Sequence, residues 1–291
     1  MEHQQLTDAE FAEFQKLIFR LCGIQVPANK VMLLSNRIRR RLRATGTAGY
    51  ADYLRLLKTR AGNDELAHFL DAITTNETSF FRTEKQFQWL QSEFLDDVCG
   101  RIRNGSHPAT LRLWSAACST GQEPCTMAIC LAEQSVRLRG VDIRIDATDL
   151  SEQALSVARS GTWEARALEG IPAPLRKKYF QELAVADAAD ISPDPLRRPF
   201  QVRPALRQWM HVARHNLMEP APHNNYDCIF LRNVMIYFSA ESKQVVAGHL
   251  MRALAAGGYL VIGPSEGLSE QLQGLQRRSP FVYQKAIGGA A

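Results

Sequence analysis

The chain has 291 residues, with a hydrophobic fraction of 45% and a charged fraction of 22%, values that are typical of a soluble globular protein with one large or two smaller domains. No apolar run approaches the roughly 18 residues that a membrane-spanning helix needs. The first residues are polar, so we expect no secretory signal. The six cysteines have no paired spacing, which favours reduced thiols in a cytoplasmic protein over a disulfide framework.

The net charge of +5 is concentrated in one region. Between Ala28 and Arg60, nine Lys or Arg residues accompany a single acid, so this stretch carries +8 and the rest of the chain −3. The basic character therefore belongs to one local surface and not to the whole protein.

Residues 6–75 have the pattern of a small helical bundle. Thr7 and Glu10 have the spacing of a capping box, and the apolar residues that follow recur on one helical face until Gly23 ends the helix. The helices predicted after the first cover residues 29–43, residues 50–58 and a segment that Asn63 is expected to cap.

From Leu111 the pattern changes to short apolar runs that alternate with helical segments, which predicts a parallel β-sheet with crossover helices. A Pro-rich stretch at 161–209 interrupts this alternation and is predicted to form a small insertion beside the main sheet. The predicted strands cover residues 111–117, 143–149, 210–216, 226–233, 258–263 and 281–286, and the predicted helices cover residues 122–138, 151–160 and 240–256.

The residues that follow these strands are candidate ligand contacts, because an open α/β sheet binds its ligand at the carboxyl ends of the strands. The first strand is followed by the turn CSTGQEP, which contains Glu123, and the second ends in Asp149. The turn lacks both the G-x-G-x-x-G pattern and a Walker A lysine, which disfavours a phosphate cradle. The next two strands are followed by the pairs Asn216-Leu217 and Arg232-Asn233.

Two acids at this edge favour a nucleoside ligand that carries positive charge. Ribose hydroxyls need acceptors, and an ammonium or a sulfonium needs carboxylates or carbonyl oxygens. S-adenosylmethionine has this chemistry, although the spacing alone equally allows an unrelated α/β enzyme.

Five segments resemble, in order, the signature blocks of the CheR family, the bacterial chemoreceptor glutamate O-methyltransferases. They are TTNETSFFR, WSAACSTGQEPCTMA, ATDLSEQALSVARSGTW, FLRNVMIYF and GGYLVIGPSE. Their order and spacing match the family over nearly the whole chain, including a basic helix in the N-terminal domain, here RIRRRLRA. The chain departs from the family's usual residues at Gln122, Cys125 and Pro264 and keeps the acid at Glu123.

The resemblance implies an α/β protein with a small all-helical N-terminal domain at residues 1–75. A linker at 76–85 would contribute to the active site, and a Rossmann-like class I methyltransferase domain would occupy 86–291. The family's β-subdomain, which in some members docks a receptor tail peptide, corresponds to an insertion at about 165–209.

The resemblance also implies S-adenosylmethionine as the cofactor, with S-adenosylhomocysteine as its product. Phe80 and Phe81 would anchor the linker in apolar surface. The cofactor-binding residues implied by the family are Asn76, Thr78, Arg82, Glu123, Asp149, Asn216, Leu217, Arg232 and Asn233.

No metal is expected, because His211 and His215 are too far apart on a strand to share an ion.

Arg82 and Tyr237 are candidate catalytic residues. A glutamate side chain, with a pKa of about 4.3, is ionised at neutral pH, so methylation requires no general base, and orientation of the reactants can supply roughly 7–11 kcal/mol. Arg82 can hold the acceptor carboxylate bidentately, and Tyr237 can place its hydroxyl near the transferring methyl. The ordinary alternatives are a surface salt bridge for Arg82 and a core aromatic for Tyr237.

Lys30, Arg37, Arg40 and Arg41 have helical spacing and predict a basic stripe that binds the substrate. An acidic helical partner fits such a stripe, and the cytoplasmic helical domain of a chemoreceptor is Glu-rich. A solvated helix face is the ordinary alternative. Nucleic acid is disfavoured, because no aromatic residues are interleaved with the arginines.

The leading hypothesis is a protein-glutamate O-methyltransferase that works in sensory adaptation. We expect it to be a cytoplasmic monomer without a transmembrane segment that acts at membrane-bound receptor arrays. The second is a CheR-like regulatory module that senses an acidic ligand, such as a cyclic dinucleotide, with weak methyltransferase activity. The third is a class I methyltransferase for nucleic acid or a small molecule, which the absence of an N-P-P-[YF] motif disfavours.

Overall fold

The computed structural model describes residues 5–183 and 194–288. Residues 184–193, which fall within the predicted insertion, lie outside the described residues. No helix of the described ranges is both long and apolar enough to cross a membrane.

Four helices form the N-terminal part. Its centre is aromatic: the ring of Phe14 lies 6.4 Å from that of Tyr53 and 6.0 Å from that of Phe69, and all three side chains are fully buried. Such rings bury large apolar areas and hold the helices together. The helices are α1 (Asp8–Cys22), α2 (Val31–Thr45), α3 (Tyr50–Leu57) and α4 (Asn63–Ile73).

The predicted caps of these helices have different outcomes. The capping box is confirmed, because the Glu10 N–H donates to Thr7 Oγ1 at 3.3 Å and the Thr7 N–H donates to Glu10 Oε2 at 2.9 Å. The prediction that Asn63 caps the fourth helix is wrong. Asn63 is the first helical residue, and a 3-10 turn over Arg60–Gly62 runs directly into α4, so backbone takes the place of a side-chain cap.

The second part is built on a seven-stranded sheet. Its helices and strands, in chain order, are α5 (Glu84–Trp89), α6 (Leu95–Arg103), β1 (Thr110–Ala116), α7 (Gln122–Ala132), β2 (Asp142–Asp149), α8 (Glu152–Ser160), β3 (Thr162–Glu164), α9 (Ala173–Tyr179), β4 (Phe180–Glu182), β5 (Pro199–Val202), α10 (Pro204–Arg207), β6 (Met210–Arg214), β7 (Tyr226–Leu231), α11 (Ala240–Ala253), β8 (Leu254–Ile262), β9 (Gln276–Ser279) and β10 (Val282–Gln284).

The strand order of this sheet is β6-β2-β1-β7-β8-β10-β9. The first five strands are parallel, and β10 is antiparallel to both of its neighbours. The predicted parallel sheet with crossover helices is therefore confirmed. Strand β9 was not predicted, because its sequence QRRS is polar and mostly exposed, as befits an edge strand.

The carboxyl ends of the central strands are level with one another. Ala116 pairs with Thr148 on one side and with Leu231 on the other, and Asp149 pairs with Arg214. The loops that follow β1, β2, β6 and β7 therefore leave the sheet along one edge. This is the edge at which an open α/β sheet binds its ligand.

A separate three-stranded antiparallel sheet, in the order β3-β5-β4, forms the insertion. Its first strand begins at Thr162, a few residues before the predicted start near 165. Phe80 attaches this small sheet to the linker, because its ring packs edge-on against Trp163 at 5.2 Å and Phe180 at 5.6 Å.

Candidate functional site

One pocket lies where the helical part, the linker and the carboxyl edge of the sheet meet. It contains every residue that the sequence analysis assigned to the cofactor or to catalysis. These are Asn76, Thr78, Arg82, Glu123, Asp149, Asn216, Leu217, Arg232, Asn233 and Tyr237.

The turn between β1 and α7 shapes one side of the pocket through unusual backbone. Ala117 and Ser119 have φ of 71° and 51°, and Gly121 has φ of 90°. A Cβ at Gly121 would lie 2.8 Å from Cβ of Ala158, so only glycine lets α7 start this close to α8. The tight turn places Glu123 in the first turn of α7, directly beside the end of β1.

Glu123 is paired on both carboxylate oxygens. Ser115 Oγ donates to its Oε1 at 2.7 Å, and Arg232 Nη1 donates to its Oε2 at 3.0 Å. The Arg232 side chain is 2% exposed, lies over the ring of Phe87 and also donates to the carbonyl oxygen of Arg82. Arg232 thus connects α7, the loop after β7 and the linker.

Asp149, at the end of β2, is the second acid of the pocket. Its Oδ2 accepts the Ser119 N–H at 2.8 Å and its Oδ1 accepts the Ser151 N–H at 2.9 Å. Burial raises the pKa of this carboxyl, while the backbone N–H groups oppose the rise. A carboxylate has about four acceptor sites, so Asp149 can still accept a ligand hydroxyl.

The linker is attached to this edge by polar contacts at its start. Asn76 Nδ2 donates to Ser151 Oγ at 3.2 Å, and Ser119 Oγ donates to the carbonyl oxygen of Asn76 at 2.9 Å. Further along, Arg82 Nη1 donates to the carbonyl oxygen of Glu77 at 2.9 Å, which folds the linker back on itself. Phe80 is 4% exposed, so the linker is held by both polar and apolar contacts.

Asn216 connects the pocket to the helical part of the chain. Its Nδ2 donates to the carbonyl oxygen of Leu21 in α1 at 2.8 Å, and its Oδ1 accepts the Met218 N–H at 3.2 Å. The neighbouring loop makes a second connection, because the Gln25 N–H donates to the carbonyl oxygen of Tyr237 at 2.8 Å. These contacts hold α1 against the rim of the pocket.

The residues that depart from the family's pattern do not line this pocket. Gln122 Oε1 accepts the hydroxyl of Thr120 at 2.7 Å, Cys125 is fully buried, and Pro264 is exposed at the protein surface. None of these three residues therefore changes a group that lines the pocket.

Two of the four residues of the predicted basic stripe make contacts within the chain. Arg41 makes a bidentate pair with Glu65, with Nε–Oε1 at 2.8 Å and Nη2–Oε2 at 2.7 Å. Arg37 donates to the carbonyl oxygen of Ile73 and to Thr75 Oγ1, and burial lowers its pKa. Arg37 and Arg41 face α4 and the residues that directly follow it, because α4 packs against this side of α2.

The other two members of the stripe are available at the surface. Lys30 and Arg40 are exposed, and so is the nearby Arg43. Met32 and Leu33, which lie on the same helix, are 67% and 46% exposed. The surface of α2 therefore combines cations with apolar side chains.

Two residues at or behind the pocket were not predicted to belong to the site. His215 lies beyond the last residue of β6, lines the pocket and packs edge-on against the ring of Trp114 at 5.6 Å. Glu266 is fully buried beneath the loop after β7. Glu266 follows the carboxyl end of β8, so the rule that ligand-site residues follow the strands of an open α/β sheet could have identified it. Within residues 5–183 and 194–288, no group of three His, Cys, Asp or Glu side chains could hold a metal ion.

The comparisons with known proteins agree with this architecture. Residues 76–281 match the family model described as the CheR methyltransferase, SAM binding domain, and residues 9–74 match the CheR methyltransferase, all-alpha domain. The chain is 31% identical to a chemotaxis protein methyltransferase of Borreliella burgdorferi, over 96% of this chain and 95% of the relative.

Two further relatives have similar coverage. The chain is 32% identical to chemotaxis protein methyltransferase 1 of Pseudomonas aeruginosa, over 90% of this chain and 91% of the relative. It is 31% identical to the chemotaxis protein methyltransferase of Escherichia coli, over 97% of this chain and 92% of the relative. The chain belongs to the CheR methyltransferase family.

Proposed function

We propose that this protein transfers a methyl group from S-adenosylmethionine to glutamate side chains in the cytoplasmic helical domain of a chemoreceptor. The observation that carries the proposal is the single pocket that joins two carboxylates at the sheet edge with Arg82 and Tyr237 at the linker and the loop after β7. We further expect the protein to act from the cytoplasm, as a monomer, at membrane-bound receptor arrays.

The hydrogen-bond acceptors of the pocket fit the cofactor of this family. Asp149 offers carboxylate oxygens for ribose hydroxyls, and Glu123 offers a carboxylate for the amino group of the methionine part. The positive charge of Arg232 partly neutralises the carboxylate of Glu123. The buried Nε of Arg232 has no hydrogen-bond partner among the described residues. When bound, S-adenosylmethionine supplies an electrophilic methyl group on a sulfonium.

The residues of the chain have to orient the acceptor and exclude water. A glutamate carboxylate is already ionised at neutral pH, so no side chain has to remove a proton. Arg82 lines the pocket and, among the described residues, its guanidinium hydrogen-bonds only to Glu77 through Nη1. The rest of the planar group can hold the acceptor carboxylate. Tyr237, 37% exposed, places its ring at the same opening.

The exposed surface of α2 supports a helical protein substrate. Lys30 and Arg40 would attract the glutamates of a receptor helix, while Met32 and Leu33 would contact its apolar side chains. The regulatory-module alternative has no comparable support, because all the residues that the family resemblance implies for the cofactor line one pocket.

The test is transfer of labelled methyl groups to membranes that contain a candidate receptor. Label that is released as methanol by mild base identifies a carboxyl ester. The control is the same receptor with its candidate glutamates replaced by alanine, which should take up no base-labile label. Equal labelling of both receptors would overturn the proposed glutamate acceptor.

A further inference from the structure

The segment after β7 supplies much of the pocket wall from a strained backbone. Asn233 has a positive φ of 58°, a conformation that is uncommon for a residue other than glycine. A 3-10 turn over Met235–Tyr237 follows at once. The pocket residues on this segment are Arg232, Asn233, Val234, Tyr237 and Phe238.

Glu266 holds this segment from behind. Its carboxylate accepts the N–H of Met235 at 2.8 Å through Oε2, the N–H of Val234 at 3.3 Å through the same oxygen, and the N–H of Asn233 through Oε1. Three consecutive backbone donors therefore converge on one side chain. Glu266 itself does not line the pocket.

The position of Glu266 is fixed by its own neighbours. Lys243 Nζ, from α11, donates to the main-chain carbonyl oxygen of Glu266 at 2.9 Å. A Cβ at Gly263 would lie 2.3 Å from Glu266 Oε1 and 3.2 Å from the Asn233 nitrogen, so the carboxylate has just the space that a glycine leaves. Any side chain at position 263 would therefore collide with the Glu266 carboxylate and crowd the Asn233 backbone.

A carboxylate in this place is not explained by stability alone. A fully buried ionised group is costly unless it is paired and hydrogen-bonded, and apolar residues of similar volume often serve a core as well or better. Burial raises the pKa of Glu266, and the three N–H groups and Arg232 oppose the rise. What the carboxylate provides, and an apolar residue would not, is a common acceptor for three donors of a strained loop.

We propose that Glu266 is a positioning residue for methyl transfer, which fixes the backbone of residues 233–235 so that Asn233 and Tyr237 face the pocket. The inference rests on the proposed function of that pocket. It predicts that the charge and shape of Glu266 affect cofactor binding and turnover although the side chain touches neither reactant.

The test compares Glu266→Gln with wild type by calorimetric titration with S-adenosylhomocysteine and by receptor methylation. Glutamine offers one acceptor oxygen and turns an NH2 donor toward the remaining N–H groups. We expect the dissociation constant to rise by at least tenfold and kcat to fall by at least tenfold. Lys243→Met, which removes only the tether on the Glu266 backbone, is measured in parallel and should raise the dissociation constant severalfold.

Asp227→Asn is the matched control. Asp227 is also a buried carboxylate, and it accepts the Arg112 N–H at 2.8 Å and contacts His107 Nε2 at 2.7 Å, but it lies near the opposite end of β7. This variant should lower the thermal midpoint while leaving the dissociation constant within twofold of wild type.

Two results would overturn the inference: dissociation constants within twofold of wild type in both Glu266→Gln and Lys243→Met, or an equal loss of affinity in Asp227→Asn. If wild type itself fails to bind S-adenosylhomocysteine, the assignment of the pocket fails instead, so the two failures are distinguishable.

Discussion

The guanidinium of Arg232 lies 3.0 Å from the carboxylate of Glu123, and the two side chains are only 2% and 12% exposed. This ion pair joins the loop after β7 to the first turn of α7 within the pocket lining. Removing one member of such a pair leaves the other charge buried without its partner, which is usually costlier than removing both.

We therefore expect Arg232→Met and Glu123→Gln each to lower the free energy of unfolding by about 3–5 kcal/mol. The double variant should lose less than the sum of the two, because no charge is then left alone. Urea unfolding of the four proteins measures the coupling. The exposed pair Arg198–Glu182, at 3.4 Å, is the control, and its disruption should change stability by less than about 1 kcal/mol. Strict additivity at Arg232 and Glu123 would contradict the expectation.

Asp149→Ala should weaken binding of S-adenosylhomocysteine by about 1–3 kcal/mol, since a charged acceptor for the ribose is removed. Calorimetric titration measures the change. Glu152→Ala is a suitable control, because Glu152 lies nearby at the start of α8 but pairs with Arg159 at the surface. An affinity for Asp149→Ala equal to that of wild type would remove Asp149 from the site.

The raised pKa of Asp149 also predicts opposite effects of pH on stability and on binding. Burial raises its folded-state pKa above the ordinary 3.8, so its contribution to stability is fully present below that ordinary value and is lost as pH rises through the folded pKa. Cofactor affinity should change the other way, falling as pH drops through the folded pKa, because the ionised form is the better acceptor. Asp149→Asn should remove the contribution of Asp149 to both, so that each pH dependence is weaker than in wild type. Titrations and unfolding curves across this pH range test the pair of signs, and parallel trends would contradict it.

The sequence pattern predicted the sheet and the strand-end side of the pocket, whereas the linker residues Asn76, Thr78 and Arg82 were implied only by the family resemblance. Short apolar runs identify buried parallel strands, and topology brings the ends of such strands together at one edge. Glu123 and Asp149 could therefore be found without any knowledge of tertiary contacts.

Features that depend on long-range packing could not be found in this way. Arg37 and Arg41 have the same helical spacing as exposed arginines, and only the packing of α4 against α2 shows that they make internal contacts. Strand β9 has no apolar pattern at all. Asn216 was assigned to the cofactor, yet its amide also donates to the carbonyl oxygen of Leu21, which lies 195 residues away in the sequence.

Arg40 and Arg41 are adjacent in the sequence, but the structure predicts different roles for them: Arg40 in substrate binding and Arg41 in the stability of the helical part. Arg40→Glu should cripple receptor methylation while stability and cofactor affinity stay as in wild type, because Arg40 is exposed on α2. Arg41→Glu should instead destabilise the helical part, because it places a second acid against the buried Glu65. Wild-type methylation should also fall as salt rises, since the Debye length shrinks to about 8 Å near 0.15 M.

Initial methylation rates, thermal midpoints and S-adenosylhomocysteine titrations of both variants check this division. Lys16→Glu, on the exposed face of α1, is the charge-matched control and should leave the methylation rate unchanged. If Arg40→Glu methylates receptors at the wild-type rate, the surface of α2 is an ordinary solvated helix face.

Arg82 should matter more to the chemical step than to cofactor binding. The acceptor carboxylate carries its charge before the reaction and loses it as the ester forms, so pairing with Arg82 stabilises the ground state at least as much as the transition state. Its benefit must then lie in alignment. Arg82→Lys keeps the charge but loses the planar fork, and we expect a large loss of kcat with only a modest change in cofactor affinity. Arg82→Ala should be no better.

Single-turnover methyl transfer with saturating receptor separates this loss from weaker docking, and calorimetry reports cofactor affinity independently. Arg103→Lys makes the same change at an exposed position at the end of α6. This control variant should transfer methyl groups at the wild-type rate. The backbone contact between Arg232 and the carbonyl oxygen of Arg82 does not involve the Arg82 side chain, so the linker should keep its position in both Arg82 variants. Methyl transfer by Arg82→Lys at the wild-type rate would therefore mean that the fork is unnecessary, and that the hydrogen bond from Arg82 to Glu77 serves only to shape the linker.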